Sequence, residues 1–270
     1  MSAVRMPAVA GKFYPRHADE LRKHISNYTA AQVSKRIAAI GCIAPHAGYV
    51  YSGHVAGAVY SRMDIPRRVI VLCPNHTGAG HPLAIMAHTA WQTPLGEVAA
   101  DAELGAALLQ RFPILHENSA AHRSEHAIEV QLPFLQMRHP DLSFIPIAVG
   151  TSDFEILQGL GNALADVISA QPDKVLVIAS SDMNHYESDA VTRIKDHKAI
   201  ARVLALDAGG LWKVVMNEDI SMCGFGPSVA MLTAASQLGA KEATLVKYAT
   251  SGEISGDYER VVGYAGIVVA

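Results

Sequence analysis

Cysteine is scarce in this 270-residue chain: Cys42, Cys73 and Cys223 are widely spaced and odd in number. That pattern argues against a disulfide framework and for reduced thiols in a cytoplasmic setting. Charge is thin as well, at 17% of residues with a formal net charge of −3. The nearest thing to a basic cluster is the pair Arg67-Arg68, so no general attraction to nucleic acid or to an anionic membrane is expected. No apolar run approaches the roughly 20 residues of a transmembrane helix. The first dozen residues lack the apolar stretch of a signal peptide. Internal repeats, low-complexity tracts and long Pro/Gly/Ser linkers are also missing, which favours one domain spanning residues 1–270.

Half the residues are hydrophobic, enough for a sizeable core. Short, nearly continuous apolar runs predict strands at 39–44, 68–73, 82–87, 143–148, 174–179, 243–248 and 261–269. Continuous rather than alternating hydrophobicity implies burial on both faces of a sheet. Helical periodicity predicts helices at 54–63, 101–111, 127–137, 154–170, 190–206 and 227–238. Asp101, Ser188 and either Ser152 or Asp153 are the expected N-caps. A hairpin between 82–87 and 91–96 would add an antiparallel element. The expected fold class is α/β: a three-layer αβα domain with a mixed, mostly parallel central sheet.

Three of these strands run into polar ends carrying histidine: Ala44-Pro45-His46-Ala47-Gly48, Cys73-Pro74-Asn75-His76-Thr77-Gly78, and Ser180-Ser181-Asp182-Met183-Asn184-His185. Open α/β sheets bind ligands at the carboxyl ends of their strands. A histidine at one such end is as easily a loop residue; at three, the histidines are expected to form one site. Cys223 lies in a glycine-rich turn before the helix that Pro227 opens, where a thiolate is favoured. Cys42 and Cys73 read as small buried apolar side chains. His126 and Glu129 are expected on one side of a helical first turn, His126 as a neutral imidazole and Glu129 as an ordinary first-turn acid. Asp182 and His185 are expected as charge partner and proton carrier. Two imidazoles and a thiolate with an acid nearby suit a divalent transition metal, and leave iron, zinc and copper open.

These motifs, together with Arg5-Met6-Pro7-Ala8-Val9-Ala10-Gly11-Lys12-Phe13-Tyr14-Pro15, Glu125-His126-Ala127-Ile128-Glu129, Cys223-Gly224-Phe225-Gly226-Pro227 and Val262-Gly263-Tyr264-Ala265, resemble the Memo-like family in its prokaryotic form. That family's fold is related to the class III extradiol (LigB-type) non-haem iron dioxygenases. The resemblance implies His46, His76 and Cys223 as metal ligands, with Fe(II) ahead of Cu or Zn. It places Asp182, His185 and His126 around the same cleft in catalytic roles: His185 as acid/base oriented by Asp182, and His126 steadying oxygen or substrate. A cysteine stands where the extradiol enzymes use glutamate, and Thr77 where some relatives carry a second histidine. Oxygen or redox chemistry on a small molecule is the leading expectation. A non-catalytic role in metal handling or peptide binding, with a radical-SAM protein as a conceivable partner, is the alternative; zinc hydrolysis is a third.

Overall fold

A computed structural model describes residues 4–30 and 36–270. In chain order the first elements are β1 (Val4–Arg5), α1 (Ala18–Tyr28), β2 (Gly41–Ala44), α2 (Tyr49–Arg62), β3 (Arg68–Pro74) and β4 (Leu83–Ile85). They are followed by β5 (Ala90–Thr93), β6 (Gly96–Ala100), α3 (Ala102–Arg111), β7 (His116–Glu117), α4 (Leu132–Gln136), β8 (Ser143–Val149) and α5 (Phe154–Ser169). The last are β9 (Val175–Ser180), β10 (His185–Glu187), α6 (Asp189–Leu204), α7 (Ala208–Asn217), α8 (Phe225–Gln237), β11 (Ala243–Thr250), α9 (Gly252–Ser255) and β12 (Val261–Val269).

The sheet is mixed and mostly parallel, in the order β1-β5-β6-β8-β3-β9-β2-β12-β10. Its centre, β6-β8-β3-β9-β2, is parallel throughout. Continuous apolar strands arise because alternate residues feed two cores. In β3, Ile70 and Leu72 face one side while Val69, Val71 and Cys73 face the other. In β9, Val175, Val177 and Ala179 go one way and Leu176 and Ile178 the other. Helices α3, α5, α6, α7 and α8 cover the first face; α1, α2 and α4 cover the second. This is the expected three-layer αβα architecture.

Asp101 and Asp153 cap α3 and α5 by accepting from the N–H groups of Leu104 and Ile156, and Ser188 caps α6. Other boundaries differ from the sequence expectation. The hairpin forms between β5 and β6 instead, with Pro94-Leu95 at its tip, while β4 pairs antiparallel with β8. Helix α2 begins at Tyr49, directly after Gly48, so the β2–α2 connection is only four residues long. The expected helix over 127–137 is an irregular turn up to Gln131, and α4 starts near Pro133. No described helix is long and apolar enough to cross a membrane.

Candidate metal centre

Strands β3, β9 and β2 are immediate neighbours, so their carboxyl ends deliver His46, His76 and the segment 181–185 side by side. Cys223 arrives separately, from the connection between α7 and α8. Gly224 lets that connection press against the end of β9: a Cβ there would lie 2.4 Å from the Ser180 carbonyl oxygen and 2.4 Å from the Ser181 Cβ. One donor atom from each of His46, His76 and Cys223 falls within 4.8 Å of the others. They line a cavity of about 590 Å³ together with His126, Asp182, His185 and Phe13.

Hydrogen bonds on the far side of each ring assign its tautomer. The Ser180 hydroxyl donates to the Ala127 carbonyl at 2.7 Å, so it accepts from His46 Nδ1–H at 3.0 Å. The Gln131 amide donates to the same hydroxyl at 2.8 Å. His46 Nε2 is therefore a bare lone pair, and the Cys223 thiol meets it at 3.2 Å. His76 Nδ1–H donates to Glu125 Oε1 at 2.9 Å, which in the neutral ring leaves its other nitrogen bare. His185 Nδ1–H donates to the Ser221 carbonyl at 2.8 Å, with the same result.

Burial, reinforced by the neighbouring imidazoles, holds His46 well below the ordinary histidine range. Burial also lowers His126 and His185, so neutral rings are favoured at all three. The Asp182 carboxyl is pushed up to about 6 by burial, against the pull of the backbone N–H groups it accepts from. Cys223 departs from expectation. Burial raises its thiol well above the usual range, and the helix start and the Asp182 N–H, 3.3 Å from Sγ, offset this only in part.

All six expected residues line one cavity, but two roles are corrected. Asp182 does not orient His185: its Oδ1 accepts from the backbone N–H of His46 at 2.8 Å and of Ala47 at 3.3 Å, pinning the β2–α2 connection. Ser221 orients His185 instead, through its carbonyl and through its hydroxyl, which accepts from the His185 N–H at 2.8 Å. Glu129 does not share a helical face with His126. It is fully buried and does not line the cavity, accepting from Arg5, Ala8, Val9 and Tyr14. His126 stacks on His76 with ring centres 4.8 Å apart, and Phe13 closes over it at 4.7 Å.

Glu125, Ser180, Gln131 and Ser221 escaped the sequence reading as site residues. Glu125 sits directly before His126, and its acidity was the only signal available. Tyr186 was missed too: it lines the cavity with an exposed ring, on a backbone in the left-handed region, φ 62°. Two bare imidazole nitrogens and one thiol make a donor set suited to a soft or borderline transition metal. Each imidazole is braced from behind, as metal-ligating histidines are. The residues present therefore fit such an ion.

The fold and cavity define a class: αβα proteins with a histidine-rich cleft at the carboxyl edge of a mostly parallel sheet. The family model of Memo-like proteins matches residues 5–268. A MEMO1 family protein of Methanopyrus kandleri is 42% identical over 277 residues, covering 98% of each chain. One of Methanosarcina mazei is 41% identical over 267 residues, covering 98% of this chain and 99% of its own. The chain belongs to the Memo-like family. Among solved structures it is similar to an uncharacterized protein from Escherichia coli K12, with a TM-score of 0.56 at 12% identity, covering 84% of this chain and 98% of that one. That likeness is one of fold alone.

Proposed function

We propose that this chain binds one transition-metal ion through the bare nitrogens of His46 and His76 and the sulfur of Cys223, with Fe(II) ahead of copper or zinc. It would serve oxygen-dependent or redox chemistry on a small molecule in the cavity, in a reducing, cytoplasmic setting. The observation that carries the reading is the approach of three donor atoms within 4.8 Å, with both imidazole tautomers assigned by partners outside the cavity. Two neutral imidazoles and a thiolate match the charge of the two-histidine-one-carboxylate set while softening it. When bound, the metal supplies a redox couple and open positions for oxygen or substrate.

The chain's own residues do the rest. His185 presents a bare nitrogen that takes and returns a proton, held by Ser221. His126, neutral and braced by Phe13, faces the same space. Asp182 keeps His46 in place through the backbone. Phe13 and Val262 line the cavity with apolar surface.

Anaerobic Fe(II) loading should give about one iron per chain, largely lost in Cys223→Ala. Stoichiometric iron surviving both His46→Ala and Cys223→Ala would sink the assignment. Oxygen uptake that requires a substrate from a phenol and catechol panel, and that disappears in His185→Gln, would support catalysis. Tight metal binding with no uptake across the panel would leave a metal-handling or peptide-binding role.

A further inference from the structure

Glu125 is fully buried, yet every polar contact it makes is with a donor. Its Oε1 accepts from His76 Nδ1–H at 2.9 Å, the His126 N–H at 2.9 Å and the Ala127 N–H at 3.0 Å. Its Oε2 accepts from the His76 backbone N–H at 2.7 Å. A neutral carboxylic acid would turn one O–H toward a donor, so this pattern belongs to a carboxylate. Oε1 also approaches His126 Nδ1 to 3.4 Å. Arg5 clamps the turn from behind, donating to the Glu125 carbonyl at 2.6 Å and to the His122 carbonyl at 2.9 Å.

We infer that Glu125 is the positioning residue of the centre: one carboxylate that sets the ring orientation and tautomer of His76 and fixes the backbone of His126 beside it. The inference rests on the metal-binding reading for its consequence, though the hold on His76 exists without an ion. Its chemical result is asymmetry. His46 is backed by a neutral hydroxyl, whereas His76 is backed by a charged acceptor, which strengthens a ligating imidazole as a base. His76 is also the more exposed of the two, and among the described residues Glu125 alone hydrogen-bonds its ring.

Glutamine at this position cannot reproduce the contacts. With its amide nitrogen at the Oε2 position, it meets the His76 N–H donor to donor. Turned round, it meets the His126 and Ala127 N–H groups and favours the opposite His76 tautomer. Glu125→Gln should therefore weaken metal binding roughly 10- to 100-fold. Ser180→Ala is the control that acts on the other imidazole.

The test uses the full chain with ¹⁵N-labelled histidine, metal-free at neutral pH, observed by long-range ¹H–¹⁵N correlation. His76 should show a protonated Nδ1, a bare Nε2 and a downfield Nδ1 proton protected from exchange. A folded Glu125→Gln chain should lose the downfield shift and exchange protection of that proton, while Ser180→Ala should keep them and alter His46. A His76 with a protonated Nε2 and a bare Nδ1 in the unmodified chain would overturn the inference, and needs no variant to fold. So would a folded Glu125→Gln chain with unchanged tautomer and unchanged Fe(II) affinity. If the unmodified chain shows the His76 signature but binds no Fe(II), the metal reading fails and the hold by Glu125 stands.

Discussion

At the scale of single residues, the most telling contact is the Cys223 thiol against His46 Nε2. Ser180 commits the other nitrogen of His46, so the 3.2 Å contact is made by an S–H donating to a lone pair. Burial keeps that proton on sulfur near neutral pH. Metal binding must then displace it, because only the thiolate ligates. Calorimetry in buffers of different ionisation enthalpy should report about one proton released per ion bound, falling to about zero in Cys223→Ser. Gly224 gives a second prediction. Alanine there would drive its methyl into the Ser180 carbonyl and the Ser181 side chain, so Gly224→Ala should lower stability by about 1–3 kcal/mol in denaturant titration and loosen metal binding with it. The histidines and Cys223 were legible in the sequence because strand-then-proline or glycine-turn patterns announce exposed tips. Glu125 was not, since His76, the imidazole it holds, lies 49 residues away and only the fold brings them together.

Among elements, the segment 5–14 works as a strap. Arg5 is buried over the Trp91 ring, 4.0 Å from its centre, and pairs with Glu129 at 2.5 Å. Glu129 also accepts from Ala8, Val9 and Tyr14, which carries Phe13 to the cavity. Removing one partner of a buried ion pair strands the other. Arg5→Met should therefore cost about 3–5 kcal/mol of stability. It should also speed proteolysis within residues 5–14, read by limited digestion. From sequence alone Glu129 looked like a first-turn acid, because helix periodicity continues through 127–137. The turn chemistry of buried Glu125 and Glu129 overrides that periodicity. Helices α1 and α7 were missed for different reasons. The first buries only Leu21 and Ile25 among eleven residues, and the second begins with Ala208-Gly209-Gly210, which reads as a loop until Asp207 is seen capping Gly210.

For the whole molecule, the alternation of two cores through one sheet was the most legible property, and the adjacency of three strand ends the least. Apolar runs reveal strands but not their order; β3, β9 and β2 become neighbours only through crossovers that no local pattern encodes. Stability against pH also belongs to this scale. Asp196 is buried where α6 meets β12, its Oδ1 accepting from the Asn184 N–H and its Oδ2 bonded to the Tyr248 hydroxyl at 2.7 Å. Burial raises its carboxyl from 3.8 to about 7. Between those values the folded chain holds on Asp196 a proton that the unfolded chain has released, so the contribution of this group to stability declines as pH rises from about 4 to 7, and its deficit is complete above. Asp196→Asn keeps an acceptor and a donor in place. It should flatten that slope and leave the variant more stable than the unmodified chain at pH 8, by thermal unfolding across pH.

Tyr186 sets two kinds of selection against each other. Its backbone occupies a region that glycine enters freely and tyrosine at a cost on the order of 1–3 kcal/mol. Its ring contributes little to the core in return, standing mostly in solvent at the cavity rim near the Arg260 guanidinium. A library at this position screened for heat tolerance should therefore enrich glycine, whereas the same library screened for retention of a cavity ligand should enrich tyrosine. The disagreement between the two winners would measure how much of this rim exists for the guest and how little for the house.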